Sequence, residues 1–155
     1  MSATVTASSR VTATAQTIGA DVQAVTAASS LMMQAVIVPG DRTNEGQLIE
    51  AVTVPWFEIV KLLKANPSLA FQIPPRKWEE IIAGAYKKAG FEEVTLTPRS
   101  GDHGRDIIAV KQGLGRVRVI DQVKAYKPGH LVTADDVRAL MGVLHGLEGL
   151  PNNDI

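Results

Sequence analysis

The feature that most constrains the fold is a change of hydrophobic period at Gly90. From Pro75 to Ala89 apolar residues recur at helical spacing, and Gly90 is typical of the residue that follows a helix. After Gly90 the pattern becomes that of strands, at 91–97, 106–111 and 116–126, with a glycine-containing turn at 112–115. The buried positions predicted for the helix are Trp78, Ile81, Ile82, Ala85 and Ala89. A helix followed by a hairpin predicts an α/β fold, with a mixed central sheet flanked by helices.

The composition divides the chain into three parts. Residues 1–40 form a low-complexity tail rich in Ala, Thr and Ser. Residues 41–75 are interpreted as a helical lead-in, in which Pro55 opens an amphipathic helix and the stretch 47–54 is either an edge strand or irregular. Residues 76–155 hold the α/β domain, which ends in a helix capped by Thr133. The pattern from Thr133 to Asp136 resembles a capping box with Asp in the acidic place.

Composition and charge exclude several classes of protein. The chain has no cysteine, which removes disulfide scaffolds, thiolate zinc sites and cysteine nucleophiles. No apolar run approaches the roughly 20 residues that span a bilayer, so we expect no membrane segment and a cytoplasmic location.

The formal net charge of zero conceals a basic region. Residues 98–130 carry seven Lys or Arg side chains against three Asp, which predicts a face for nucleic acid. The candidate phosphate contacts are Arg99, Arg105, Arg116, Arg118 and Lys127. Arg116 and Arg118 have an alternative interpretation as charges that merely keep a strand soluble.

The predicted hairpin gathers polar groups at one end of the sheet. Antiparallel pairing across the turn sets Asp106 opposite Asp121 or Gln122. Because residues i and i+2 of a strand share a face, Gln122 and Lys124 are expected to point the same way. Mg²⁺ prefers oxygen ligands, and three are predicted here: the Asp106 carboxylate, the Gln122 side-chain oxygen and the Val123 backbone carbonyl.

Two further groups complete the predicted chemistry. The Lys124 ammonium would activate water or offset charge on a phosphate, although a lone lysine on a strand is more often simply solvated. Glu79, on the preceding helix, would orient a metal-bound water, with Glu80 as its rival.

Residues 91–109, with the loop Gly101-Asp102-His103-Gly104-Arg105-Asp106, are followed one hairpin later by Asp121-Gln122-Val123-Lys124. This combination resembles the catalytic domain of Mrr-type (type IV) restriction endonucleases, which belong to the PD-(D/E)xK nuclease superfamily. The resemblance covers residues 75–146, roughly half the chain.

The resemblance implies a role for each residue of the pattern. Asp106 would be the metal-binding aspartate, and Gln122 would stand in the place of the second acid, as is typical of the Mrr branch. Lys124 would be the catalytic lysine and Glu79 the helix glutamate. The implied activity is cleavage of double-stranded DNA with a divalent metal, in restriction of foreign or modified DNA.

One departure from the family pattern concerns the end of the chain. The family core continues beyond its second helix into another strand, and this sequence ends at Ile155 before such a strand. We therefore expect the last core strand to be lacking, with an unpaired sheet edge and an exposed helix face. Dimerisation or strand exchange would compensate for the missing strand.

Two other functions stay open on the sequence. The neutral Gln122 and the short end favour a catalytically silent DNA-binding or assembly module of the same fold. A DNA repair or junction-resolving nuclease of the same superfamily would carry the same residues.

Overall fold

The computed structural model of the protein describes residues 22–23, 26–98 and 104–148, with side chains as far as residue 143. The chain separates into two compact units, 1–34 and 35–155. In the first unit, residues 26–33 are helical. No helix among the described residues has the length and apolar character needed to cross a membrane.

The described residues of the second unit include five strands, which form one sheet. They are β1 (Ile37–Arg42), β2 (Gln47–Val52), β3 (Glu93–Leu96), β4 (Ile107–Gln112) and β5 (Arg116–Asp121). Their order in the sheet is the order in the chain, and each of the four pairings is antiparallel. The predicted α/β class is confirmed, and a parallel pairing, which a mixed sheet would contain, is not among the pairings described.

The same unit also contains helices. They are α1 (Val54–Ala65), a 3-10 helix (Pro67–Gln72), α2 (Pro75–Lys88) and α3 (Ala134–Glu148). Pro55 lies in the first turn of α1 and Pro75 in the first turn of α2, where the missing N–H costs nothing. Gly90 has φ 84°, which confirms it as the glycine that follows α2.

The core lies where α2 packs on one face of the sheet. Its buried members come from β2, α2, β3 and β4: Ile49, Ala83, Val94, Leu96, Ile107 and Ala109. Ile81, Ala83 and Gly84 are the buried residues of α2, whereas Ala85 and Ala89 are exposed. The prediction was confirmed for Ile81 and wrong for Ala85 and Ala89, and Trp78 and Ile82 are half-buried. The buried face is shifted toward Ala83 and Gly84, because small residues let the helix approach both the sheet and α1.

Three strands differ from the sequence-based expectation. β1 was not predicted, and it begins within the stretch 1–40 that was interpreted as a low-complexity tail. Residues 47–52 form β2, which lies between β1 and β3 rather than at an edge of the sheet. β5 ends at Asp121, and residues 122–127 have no regular structure. The prediction of a strand through Tyr126 was wrong, and with it the argument that strand geometry places Gln122 and Lys124 on one face.

Candidate active site

Asp106 stands at the entrance to β4 and is fixed through its backbone. Its N–H donates to the carbonyl of Asp121 at 2.9 Å, and its carbonyl accepts from the N–H of Thr97 at 3.1 Å. The described register of β4 and β5 ends where Ile107 pairs with Asp121, and Asp106 lies one residue before that pair. Of the two residues expected opposite Asp106, Asp121 is the one that its backbone N–H contacts.

The Asp106 carboxylate holds the segment that follows β5. Its Oδ2 accepts a hydrogen bond of 2.6 Å from the backbone N–H of Val123. Val123 thus contacts the aspartate through its N–H; the metal-ligand role of its carbonyl stays a prediction. The bond connects the entrance of β4 to the chain beyond β5, so Gln122 and Lys124 flank a residue anchored on Asp106.

Gln122 lies against the loop that precedes Asp106. A Cβ added to Gly104 would be 3.4 Å from the Gln122 amide nitrogen, and Gly104 has φ 77°. A side chain at position 104 would therefore be strained by the backbone and would crowd this amide. The structure thus places Gln122 beside the glycine that forms the turn into β4.

The Lys124 ammonium is directed to α3. Its Nζ lies 3.4 Å from Oδ1 of Asp136, and the same oxygen accepts a hydrogen bond of 2.9 Å from the Tyr126 hydroxyl. The other carboxylate oxygen, Oδ2, accepts from the N–H and the hydroxyl of Thr133, each at 2.9 Å. Asp136 therefore closes the predicted capping box of α3 and holds Lys124 at once.

This arrangement favours the charged form of Asp136. Hydrogen bonds from the Thr133 backbone and hydroxyl, followed by that of Tyr126, hold the pKa of the Asp136 carboxyl well below its ordinary value. The charge is therefore present at neutral pH to attract Lys124.

Glu79 shares a cleft with Asp106. The cleft has a volume of about 420 Å³, and its lining also includes Arg76, Thr97 and Pro98. Glu79 Oε2 accepts from Nη1 of Arg76 at 2.5 Å, and the same nitrogen donates to the Thr97 carbonyl at 3.3 Å. Arg76 therefore offsets the repulsion between two carboxylates that face one cavity.

Glu80, the rival of Glu79, has a different environment. Glu80 forms an ion pair with Lys77 at 2.8 Å. This pair is displaced by one residue along the helix from the pair of Arg76 with Glu79. Among the residues described as lining the cleft with Asp106, neither Glu80 nor Lys124 occurs. Glu79 is thus the helix acid that shares a cleft with Asp106. Lys124 is connected to Asp106 through its neighbour Val123, whose backbone N–H is bonded to the Asp106 carboxylate.

The predicted metal set contains one acid and two neutral oxygens. In the part of the chain that the structure describes, no three or more His, Cys, Asp or Glu side chains cluster closely enough to hold a metal ion. The cleft does offer two carboxylates, Asp106 and Glu79, and such oxygens suit a hard divalent cation. The donor chemistry present fits Mg²⁺, with the Gln122 amide as a neutral addition.

The predicted DNA-contacting residues are dispersed. Arg116, Arg118 and Lys127 are exposed, and Arg118 pairs with Glu45. Arg105 is half-buried, and its backbone carbonyl accepts from the Thr97 hydroxyl. Arg99 lies outside the described residues.

Three residues near the site were missed by the sequence reasoning. Arg76 had a signal, since Arg and Glu three apart on a helix form ion pairs. Asp136 was predicted to take part in the cap of α3, but its contact with Lys124 was missed. That contact depends on the irregular path of the chain after Asp121. Thr97 is a buried hydroxyl at the end of β3, and no local pattern marked it.

Comparison with known proteins identifies the family of the domain that contains this site. A family model described as a restriction endonuclease, the Mrr catalytic domain, matches residues 71–150. No curated protein and no solved structure matches the chain significantly. The matched region contains α2, β3, the β4–β5 hairpin and the whole of α3, together with each of Glu79, Asp106, Gln122 and Lys124. Since the match spans more than half of the chain, the protein belongs to the Mrr-type restriction endonuclease catalytic domain family.

Proposed function

We propose that this protein is a Mg²⁺-dependent DNA endonuclease that hydrolyses phosphodiester bonds of double-stranded DNA. The observation that supports this most directly is the shared cleft of Asp106 and Glu79, inside the region that matches the restriction endonuclease family. The biological role we propose is restriction of foreign or modified DNA in the cytoplasm. Enzymes that cut both strands usually bring two active sites to the DNA, so a homodimer is part of the proposal.

The ligands of the metal would come from three elements. Asp106 at the entrance of β4 and Glu79 on α2 supply carboxylate oxygens, and Gln122 supplies a neutral one. When bound, the metal would polarise the phosphate and lower the pKa of a water molecule. Arg76 holds the Glu79 carboxylate in position and limits its repulsion from Asp106.

Lys124 would stabilise negative charge on the phosphate. Its backbone neighbour Val123 is bound to the Asp106 carboxylate, and its ammonium is bound to Asp136. Both contacts restrict where the ammonium can be, and a fixed charge stabilises a developing charge without reorganisation cost. Asp136 is therefore proposed as a positioning residue for Lys124.

The test is cleavage of supercoiled plasmid, methylated and unmethylated, with Mg²⁺ or with EDTA. We expect nicking that requires Mg²⁺ and falls by about a hundredfold or more in Asp106→Ala and Lys124→Ala, the range for loss of a charge-stabilising group. The Glu79→Gln and Glu80→Gln pair is matched, because both acids lie on α2 and both pair with a residue three positions before them. Glu79→Gln should reduce cleavage and Glu80→Gln should not.

Other outcomes would reject the proposal. Equal cleavage by wild type and Asp106→Ala would identify a contaminating nuclease. DNA binding without cleavage by a folded sample would favour the silent binding module. Cleavage confined to four-way junctions would favour the repair nuclease.

A further inference from the structure

A second cleft adjoins the candidate active site. It has a volume of about 270 Å³ and is lined on one side by Arg42, Thr43 and Gln47 from the turn between β1 and β2. The other side is formed by Arg76, Thr97 and Pro98, which also line the cleft of Asp106 and Glu79. The two cavities are therefore neighbours with a common wall.

The fold fixes the turn that forms this cleft. Gly46 has φ 148°, and a Cβ added there would lie 2.1 Å from the carbonyl oxygen of Leu96. No side chain fits at position 46, so the turn packs directly against the end of β3. The Thr43 N–H donates to the Gly46 carbonyl at 2.8 Å, which closes the turn. The position of Arg42 beside Thr97 thus depends on a close backbone approach.

The charge of this second cleft is positive. Its described lining contains two arginines and no acidic residue. The nearby acid Glu45 pairs with Arg118 of β5, so the negative charge of Glu45 is directed to that strand. Arg42 is exposed and forms no ion pair with any residue that the structure describes.

Arg76 connects the two clefts. Its contacts with Glu79 and with the Thr97 carbonyl both use Nη1, and a guanidinium carries five N–H donors. Donors therefore remain for a ligand in the second cleft while Glu79 stays bound. Paired arginines with free donors are suited to phosphate oxygens, which they contact in a bidentate way.

We propose that Arg42 and Arg76 bind a phosphodiester of the DNA backbone next to the one at the Asp106 site. This inference rests on the proposed function, since it extends the path of the DNA from the active-site cleft across the β1–β2 turn. Arg42 was not among the sequence-based candidates for phosphate contact. The contact would add affinity and register but no sequence information.

The test is binding of a short fluorescein-labelled DNA duplex, followed by anisotropy in EDTA over a series of salt concentrations. Loss of one phosphate contact lowers the slope of log Kd against log salt by about 0.9, and weakens binding by about five- to tenfold near 0.1 M salt. We expect this for Arg42→Gln, with the slope kept in Arg42→Lys. The control is Arg138→Gln, because Arg138 is exposed on α3 and pairs with Asp135.

Binding in EDTA separates this inference from the proposed nuclease. If Arg42→Gln weakens binding as stated while the wild type cleaves nothing, the phosphate contact stands and the nuclease proposal fails. If Arg42→Gln binds as tightly and with the same slope as Arg138→Gln, the contact is overturned whatever the cleavage result. Absence of DNA binding by the folded wild type would overturn both.

Discussion

The carboxylate of Asp106 and the backbone N–H of Val123 are joined by a hydrogen bond of 2.6 Å that lies beyond the last residue of β5. A side chain thus continues the connection between two strands after the ladder of backbone bonds has ended. The bond places one family-pattern residue, Asp106, in contact with the peptide between two others, Gln122 and Lys124. The site is therefore connected through the main chain before any ligand is bound.

The first prediction concerns hydrogen exchange at Val123. This amide lies outside regular structure, yet its bond to a charged acceptor should protect it from exchange with solvent. Asp106→Ala should lower its protection by about ten- to a hundredfold, as expected for loss of a hydrogen bond to a charged group. Asp106→Asn keeps an acceptor oxygen and should lower it less. NMR-detected exchange measures this directly.

The internal control for that experiment is the amide of Phe91, which donates to the Tyr86 carbonyl at 3.2 Å after α2. Its protection should be the same in all three proteins. A Val123 amide that exchanges equally slowly in wild type and Asp106→Ala would show that the carboxylate does not hold this segment.

The second prediction concerns the contact between α1 and α2. A Cβ on Gly84 would lie 2.5 Å from Trp56 Nε1, and that nitrogen donates a buried hydrogen bond of 2.9 Å to the Ile81 carbonyl. Gly84→Ala should therefore lower the free energy of unfolding by about 1–2 kcal/mol, since overpacking exceeds the gain in helix propensity. Urea unfolding followed by tryptophan fluorescence measures the change.

Gly142 provides the matched control for that substitution. It lies on α3, and a Cβ there would have no neighbour within 4 Å among the residues that the structure describes. Gly142→Ala should raise the free energy of unfolding by about 0.5–1 kcal/mol. If both substitutions stabilise the protein, Gly84 does not pack against Trp56 as described.

The third prediction concerns the pKa of Tyr86, one of the two tyrosines of the chain. Tyr86 donates to Asp121 Oδ2 at 3.0 Å, and burial, followed by the charge of Asp121 and this bond, raises the pKa of Tyr86 to about 12. An ultraviolet titration of the phenolates should show a transition near that pH, and Tyr86→Phe should remove this component. The signal of Tyr126 should remain, and the pKa of Tyr126 is also raised, chiefly by its hydrogen bond to Asp136. Asp121→Asn should lower the midpoint without restoring it to 10.0, since burial is the largest cause. A midpoint unchanged by Asp121→Asn would contradict the contact.

The sign of the effect on stability follows from the raised pKa of Tyr86. The folded state binds this proton more tightly than the unfolded state does, so the contribution is complete below pH 10.0 and is lost as the pH rises through about 12. Tyr86→Phe should remove that alkaline loss.

Local sequence signals predicted the elements whose ends are marked by a proline or a glycine. Pro75 and Gly90 bound α2, and the turn at 113–115 separates β4 from β5, because proline and glycine act on the backbone at their own positions. The buried face of α2 was not predictable in this way. It depends on the sheet, against which Ala83 is buried, and on Trp56 of α1, which lies against Gly84 although it is distant in sequence.

The same distinction applies to the candidate site. Pairing across the hairpin placed Asp106 beside Asp121, the last residue of β5, since a turn fixes the register of both strands. The end of β5 depends on a side chain instead, because Asp106 takes the Val123 N–H where a longer strand would continue. The contact of Lys124 with Asp136 likewise requires the path of 122–133, which no period in the sequence encodes.

The last prediction concerns Asp136 and pH. The pKa of its carboxyl is depressed below the ordinary 3.8, chiefly by the Thr133 N–H, so its contribution to stability is complete above that pH and is lost as the pH falls through the lower folded value. Asp136→Asn should unfold at lower urea than wild type at neutral pH, and this difference should shrink below pH 3.8. Asp135→Asn is the control, because Asp135 is exposed and pairs only with exposed Arg138 among the described residues; its difference from wild type should be small throughout. A difference for Asp136→Asn that stays equal on both sides of pH 3.8 would mean that the charge of Asp136 is not what holds the start of α3 and, through it, the position of Lys124.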